Sequence, residues 1–278
     1  MAPATDPTRL AELLEAEVMH RIGLAGPEPA RRALGATVHR VGGGTVLTMS
    51  NDPMGGFFNK SVGLGLTEPV TDALITEVID LHRRNGSPLA HIQIAPDRLP
   101  ADWADISARH GLTPGSTIVR LVGEVDDVKP ATTDLRVGPV EDARIDEWAT
   151  RVWEFFDAPN EHLAAYVAAA ARTDGFRAYA GWDGDEMIAV GTVFVHGDAA
   201  HLNSAATRAS HRRRGVQAAL IAARAEHAAA AGARWLVSEV ARPDVEDANP
   251  SLNNMVRAGL TRRYDRTDWI WRPGAGAA

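Results

Sequence analysis

The chain has 278 residues, of which 45% are apolar and 23% charged, with a net charge of −7 and no cysteine. That length accommodates two domains of ordinary size or one large one, each with a real core. The composition excludes disulfides, thiolate metal sites and a cysteine nucleophile, and its acidic balance argues against a general nucleic-acid binder.

No apolar run approaches the ~20 residues of a membrane span. The start of the chain lacks a basic segment followed by an apolar block, so no secretory signal is expected. A cytoplasmic setting is the expectation, and the lack of cysteine fits it.

In chain order, Asp6 can cap a first helix. Pro7 suits its first turn, and Leu10, Leu13, Leu14, Val18 and Ile22 form its apolar side. Thr37–Val41, a turn at Gly42-Gly43-Gly44 and Thr45–Ser50 predict a β-hairpin. Phe57–Val62 predicts a third strand. Thr67-Glu68-Pro69 opens a helix carrying Val70, Leu74, Val78 and Leu81, and Asn85-Gly86 ends it. A strand at Leu89–Ala95, a short helix at Asp102–His110 and a strand at Thr117–Val122 follow.

The polar stretch Glu124–Asp134, interrupted by Pro130, predicts a linker. Set at 126–134, it separates a domain at 1–125 from one at 135–278. Helices are then predicted over Glu141–Phe156 and Glu161–Arg172. Three antiparallel strands follow at Phe176–Trp182, Met187–Val195 and Ala199–Thr207, with turns at Asp183-Gly184-Asp185 and Gly197-Asp198. A long helix runs from Gly215 to about Ala231 and stops at Gly232. Trp235–Val240 predicts a strand, Leu252–Ala258 a helix ended by Gly259, and Asp268–Trp271 the last strand.

The two halves share a signature. Arg109-His-Gly-Leu-Thr113 and Arg257-Ala-Gly-Leu-Thr261 each end a helix and lead into a strand. The shared order of elements around them points to a duplication.

The stretch His211-Arg-Arg-Arg-Gly-Val-Gln-Ala218 places three arginines before a glycine at the start of a helix. The first turn of a helix offers unpaired N–H groups and the positive end of the dipole, which suits an anion. Gly215 lets a ligand approach the backbone. A solvated basic loop is the plain alternative. No Gly-Lys-Ser/Thr follows, so this is not a nucleotide P-loop, and the glycine spacing of a dinucleotide fingerprint is absent.

Arg212-Arg213-Arg214-Gly215-Val216-Gln217 resembles the Arg/Gln-x-x-Gly-x-Gly/Ala loop of the GNAT acyltransferases, with Gln217 in place of the last small residue. The later Asn254-Met255-Val256-Arg257-Ala258-Gly259-Leu260 is similar to that family's last helix. The likeness covers about residues 135–272, and the first half resembles the same fold in a degenerate form. The resemblance implies an α+β chain with two GNAT-like domains in tandem, each a mostly antiparallel mixed sheet flanked by helices.

It also implies an N-acetyltransferase. Acetyl-CoA would be the cosubstrate and the acceptor an amine of a small molecule or peptide, with no metal, nucleic acid or membrane involved. The acyl-CoA would lie against Ala205, Ala206, Thr207, Arg212, Arg213, Arg214, Gly215, Val216, Gln217, Ala218 and Asn254. The strand Ala199–Thr207 would splay from Trp235–Val240 to admit it.

Many members place a tyrosine acid where this chain has Met255, so that role is vacant. His201, Glu239 and Tyr264 are the candidates for proton transfer, against structural readings for each. The vacancy keeps open a second reading, a catalytically inactive acyl-CoA-binding or scaffold protein. Glu68 and Pro69 oppose an anion at the matching place in the first half. Trp153, Phe155 and Phe156 follow a helical face and read as core.

Overall fold

The computed structural model describes residues 6–243, 245 and 249–275. Eight helices and eleven strands alternate along them in two compact units. The first unit gathers the chain up to Leu24, Glu28–Val119, and the chain from Tyr264 on. The second gathers Ala25–Pro27 and Arg120–Arg263.

In the first unit, Asp6 caps α1 (Pro7–Ala25) by accepting from the amides of Thr8 and Arg9, at 3.0 and 3.2 Å. A short helix follows, α2 (Glu28–Leu34), which the sequence pattern did not reveal. β1 (Ala36–Val41) and β2 (Gly44–Met49) pair antiparallel. Gly42 and Gly43 close the hairpin, both at positive φ, as a two-residue turn of matching twist requires.

The third strand is shorter than expected: β3 is Lys60–Val62 alone. Asn59, fully buried, breaks the ladder ahead of it. Its side chain accepts from Met49 N–H at 2.7 Å and donates to Met49 C=O at 3.0 Å, replacing a backbone pair. α3 (Asp72–Arg84) starts later than Thr67, because Thr71 is the residue that caps it, accepting from Leu74 N–H at 3.2 Å. β4 (Ala90–Gln93) then runs parallel to β3.

After α4 (Trp103–Arg109), β5 (Thr113–Glu124) crosses from the first unit to the second at Arg120. The chain's last strand, β11 (Thr261–Trp271), makes the reverse crossing at Tyr264 and pairs antiparallel with β4. The first sheet is therefore ordered β1-β2-β3-β4-β11. Val46, Ile75, Val78, Ile79, Ile92, Ile94 and Trp271 fill the core beneath it.

The first unit also buries charge. Glu12 and Glu15 of α1 are 1% and 5% exposed, and Arg266 of β11 is 0% exposed. Arg266 Nη1 meets both Glu12 oxygens at 2.8 and 2.9 Å, and Nη2 meets Glu15 at 2.7 Å. Gln93 accepts from the same guanidinium at 2.5 Å.

In the second unit, residues 126–134 pack onto their own unit. Val125 N–H donates to Arg234 C=O at 2.9 Å, Lys129 N–H to Ala258 C=O at 3.0 Å, and Thr133 Oγ1 to Arg214 C=O at 2.7 Å. β6 (Arg136–Pro139), absent from the sequence reading, pairs with β7 (Phe176–Asp183). Between them lie α5 (Ile145–Phe155) and α6 (Glu161–Ala171). β8 (Glu186–His196) and β9 (Ala199–Thr207) continue antiparallel. α7 (Val216–Ala230), β10 (Trp235–Ala241) and α8 (Pro250–Ala258) complete the unit. Its sheet is ordered β5-β10-β9-β8-β7-β6.

The repeated signature has one geometry in both units. Leu112 N–H reaches back to Ser107 C=O at 2.8 Å, and Leu260 N–H to Met255 C=O at 3.1 Å. Each is a six-residue helix stop that buries its leucine. Among the described residues no helix is long and apolar enough to cross a membrane.

Candidate functional site

β9 and β10 run parallel but pair only where Ala199–His201 meets Trp235–Val237. There the ladder stops. Ser238 Oγ donates to Leu202 C=O at 3.0 Å, the first contact beyond it. On its other edge β9 is bulged. Val190 faces Ala206 and Thr192 faces Asn203, so Ser204 and Ala205 share Gly191. Ser204 sits at φ +51°, outside strand geometry.

A cavity of about 1060 Å³ opens along the far half of β9. Ala205, Ala206 and Thr207 form one wall. Arg212, Arg213 and Gly215 of the loop line it, with Val216, Gln217, Ala218 and Ile221 of α7. α8 contributes Asn254, Met255 and Arg257, and the end of α5 contributes Phe155 and Phe156. Among the described residues its charged lining is Arg212, Arg213 and Arg257, with no carboxylate. Phe156 is 45% exposed and belongs to this wall rather than to the core the helical spacing implied.

Gly215 is the N-cap of α7, at φ +78°, and no side chain caps the helix. Among the described residues the amides of Arg213 to Ala218 have no acceptor in the protein. Such a run of donors at a helix N-terminus is suited to an anion. Glycine is required here for a reason beyond ligand access. A Cβ at Gly215 would lie 2.9 Å from the Thr132 carbonyl oxygen. In the first unit the comparable helix start, that of α3, is closed by Thr71 and carries Asp72 in its first turn.

The three arginines divide. Arg212 and Arg213 face the cavity, and Arg213 holds φ +65°, a strained value for a residue with a side chain. Arg214 is not in the cavity wall. It pairs with Asp183 at 2.6 Å and with Asp134, and these bonds hold its own pKa above the usual arginine value. Gln217 Nε2 donates to Ala206 C=O at 3.0 Å and to Thr207 Oγ1 at 2.7 Å, tying the helix to the strand. Asn249 caps α8, accepting from Ser251 and Leu252 amides at 2.9 and 3.1 Å.

His201 and Glu239 meet: Nε2 and Oε2 are 2.7 Å apart. Asn203 Nδ2 donates to His201 Nδ1 at 3.3 Å, which leaves the Nε2 proton for Glu239. Arg120, fully buried, donates to the same Glu239 oxygen at 3.1 Å. His201 is 1% exposed and the Glu239 side chain 28%, and neither lines the cavity. Tyr264 is not brought to this site. It lies on the part of β11 that belongs to the first unit, where its hydroxyl donates to Glu12 at 2.6 Å.

Residues 120–237 match the family model described as an acetyltransferase (GNAT) domain. No curated protein matches the chain. A solved tandem GNAT protein from the clavulanic acid biosynthesis pathway superposes with a TM-score of 0.61 at 16% identity, covering 99% of this chain and 97% of its own. A GCN5-related N-acetyltransferase from Sphaerobacter thermophilus gives 0.58 at 14% identity, covering 99% and 96%. One from Kribbella flavida gives 0.57 at 17% identity, covering 93% and 97%. At such identities the likeness speaks for the fold. This chain has the fold of the tandem GNAT proteins, and its residues 120–237 are similar to the acetyltransferase (GNAT) domain.

Proposed function

We propose that the protein is an N-acetyltransferase that moves the acetyl group of acetyl-CoA to an amine of a small molecule or peptide by direct attack. The observation that carries this is the uncapped start of α7 and its arginines, opening into a cavity beside a bulged strand.

In this reading the amides of Gly215 to Ala218, with Arg212 and Arg213, hold the pyrophosphate. Ala205 to Thr207 and Asn254 line the path of the pantetheine. The bulge amides receive the thioester oxygen, where a fixed dipole is worth most. Glu239 and His201 share a proton and lie on the splayed strands, so they accept the proton of the attacking amine through water. The amine forms a bond to the acetyl carbon, and the sulfur leaves with the electron pair of the broken C–S bond. Holding the two substrates together supplies much of the rate.

Met255 favours the second reading, an acyl-CoA-binding protein without turnover, because it lines the cavity and carries no proton to give. Calorimetry with acetyl-CoA, followed by an amine panel read as free thiol, decides. One site per chain and turnover with some amine are expected. No binding sinks both readings, and binding with no turnover across the panel selects the second.

Arg213→Gly makes a sharper check. Relief of the positive φ, about 1 kcal/mol, roughly offsets the added freedom of glycine. The melting temperature should therefore hold or rise slightly. Acetyl-CoA affinity should fall about tenfold, as one charge-assisted bond is lost. Unchanged affinity would remove Arg213 from the site.

A further inference from the structure

Arg224 of α7 is fully buried, and among the described residues no carboxylate meets it. Its Nε donates to Leu220 C=O at 3.0 Å, and its Nη1 to Thr192 C=O at 3.0 Å and Asn203 C=O at 3.4 Å. Nη2 has no partner among the described residues. Burial lowers the group's pKa to about 10, so it keeps its charge at neutral pH. A buried cation without a counter-ion is a poor way to fill space, and a leucine or methionine would pack there at less cost.

Its contacts explain its presence. Thr192 and Asn203 are the cross-strand pair beside the β9 bulge, where the ladder is interrupted. The guanidinium binds the carbonyl of each. Gly191, opposite the bulged Ser204 and Ala205, clears the space: a Cβ there would lie 3.0 Å from both Arg224 Cζ and Nη1. Ala205, on the bulge, lines the cavity. One turn of α7 earlier, Ile221 lines it too.

We propose that Arg224 is a positioning residue for the acyl group, pinning the β9 bulge so that its backbone amides hold the thioester carbonyl. This rests on the acetyltransferase reading given above. Arg224 touches neither cofactor nor acceptor in this scheme and acts through the strand. Gly191 is part of the same device.

The test uses full-length protein and acetyl-CoA carrying ¹³C at the thioester carbonyl, read by isotope-edited infrared spectroscopy. In the wild type the bound carbonyl band should lie below its position in solution. In Arg224→Met it should return toward the solution position. The kcat should fall about a hundredfold, as expected for a reacting group misplaced by about 1 Å. Affinity for CoA, which has no acyl carbonyl, should stay within about threefold. Arg224→Lys should lie between. Gly191→Ala keeps the arginine but pushes it off the strand, and should reproduce the band shift even if Arg224→Met does not fold.

A wild-type band in folded Arg224→Met or Gly191→Ala overturns the proposal. So does a loss of CoA affinity in step with kcat, which would mean general loosening. A wild type that binds acetyl-CoA without turnover fails the enzymatic reading while the band still reports on Arg224. One that binds no acetyl-CoA overturns both.

Discussion

Gly215→Glu should reduce acetyl-CoA affinity by more than about a hundredfold, since charge-assisted bonds worth roughly 1.5–3 kcal/mol each are lost together. Three effects combine. The new carboxylate stands among amides that otherwise have no acceptor among the described residues, and it can take them itself. It sets a negative charge against the phosphates. And it asks a residue with a side chain to hold φ +78° with its Cβ 2.9 Å from the Thr132 oxygen. The last effect also weakens the fold, by about 1–2 kcal/mol for the left-handed backbone plus the cost of moving the 132–134 segment. Gly215→Ala separates the causes. It keeps the backbone strain without the charge, so its binding loss should be smaller, near tenfold. Calorimetry on both variants, with thermal melts as the folding control, measures this. Wild-type affinity in a folded Gly215→Glu would remove the loop from the site.

Arg266→Met should destabilise the first unit by about 3–5 kcal/mol, the usual cost of leaving a buried charge without its partner. Glu12 and Glu15 both answer to this one guanidinium, and both are buried. Methionine matches the volume but returns none of the bonds. Replacing Glu12 and Glu15 by glutamine in the same chain should recover much of the loss, because the stranded charges go with it. Urea denaturation followed by tryptophan fluorescence reads both. A single variant as stable as the wild type would show that the network is idle.

The sequence made the scaffold legible where periodicity and glycine agreed. Leu74 and Val78 with Asn85-Gly86 located α3, and Gly259 located the end of α8, because helix faces and left-handed stops are local properties. The anion seat was legible too, since Gly215 and the arginines sit side by side in the chain. β6 escaped because Arg136–Pro139 is only four residues long, contains a glycine and is closed by proline, and only its partner β7 makes it a strand.

The buried charges escaped for a related reason. Glu12, Glu15 and Arg224 lie on helices where a charged residue ordinarily faces water. Their partners at Arg266, Thr192 and Asn203 are distant in sequence. Arg214 looked like its neighbours, and only the fold shows it turned to Asp183 and Asp134. The units divide at Arg120 and Tyr264 rather than around residues 126–134, a division that depends on which strand pairs with which.

That division sets an order of events during synthesis. The second unit, but for Ala25–Pro27, is continuous from Arg120 to Arg263, so it is complete once residue 263 has emerged. The first unit begins the chain yet lacks its last strand until the end of it. Arg266 follows Glu12 by 254 residues. At roughly 5–20 residues per second, those two glutamates wait between about 10 and 50 s for their counter-ion. The half that is made first thus finishes last, and the edge of β4 stays open to other chains from its own synthesis until β11 follows.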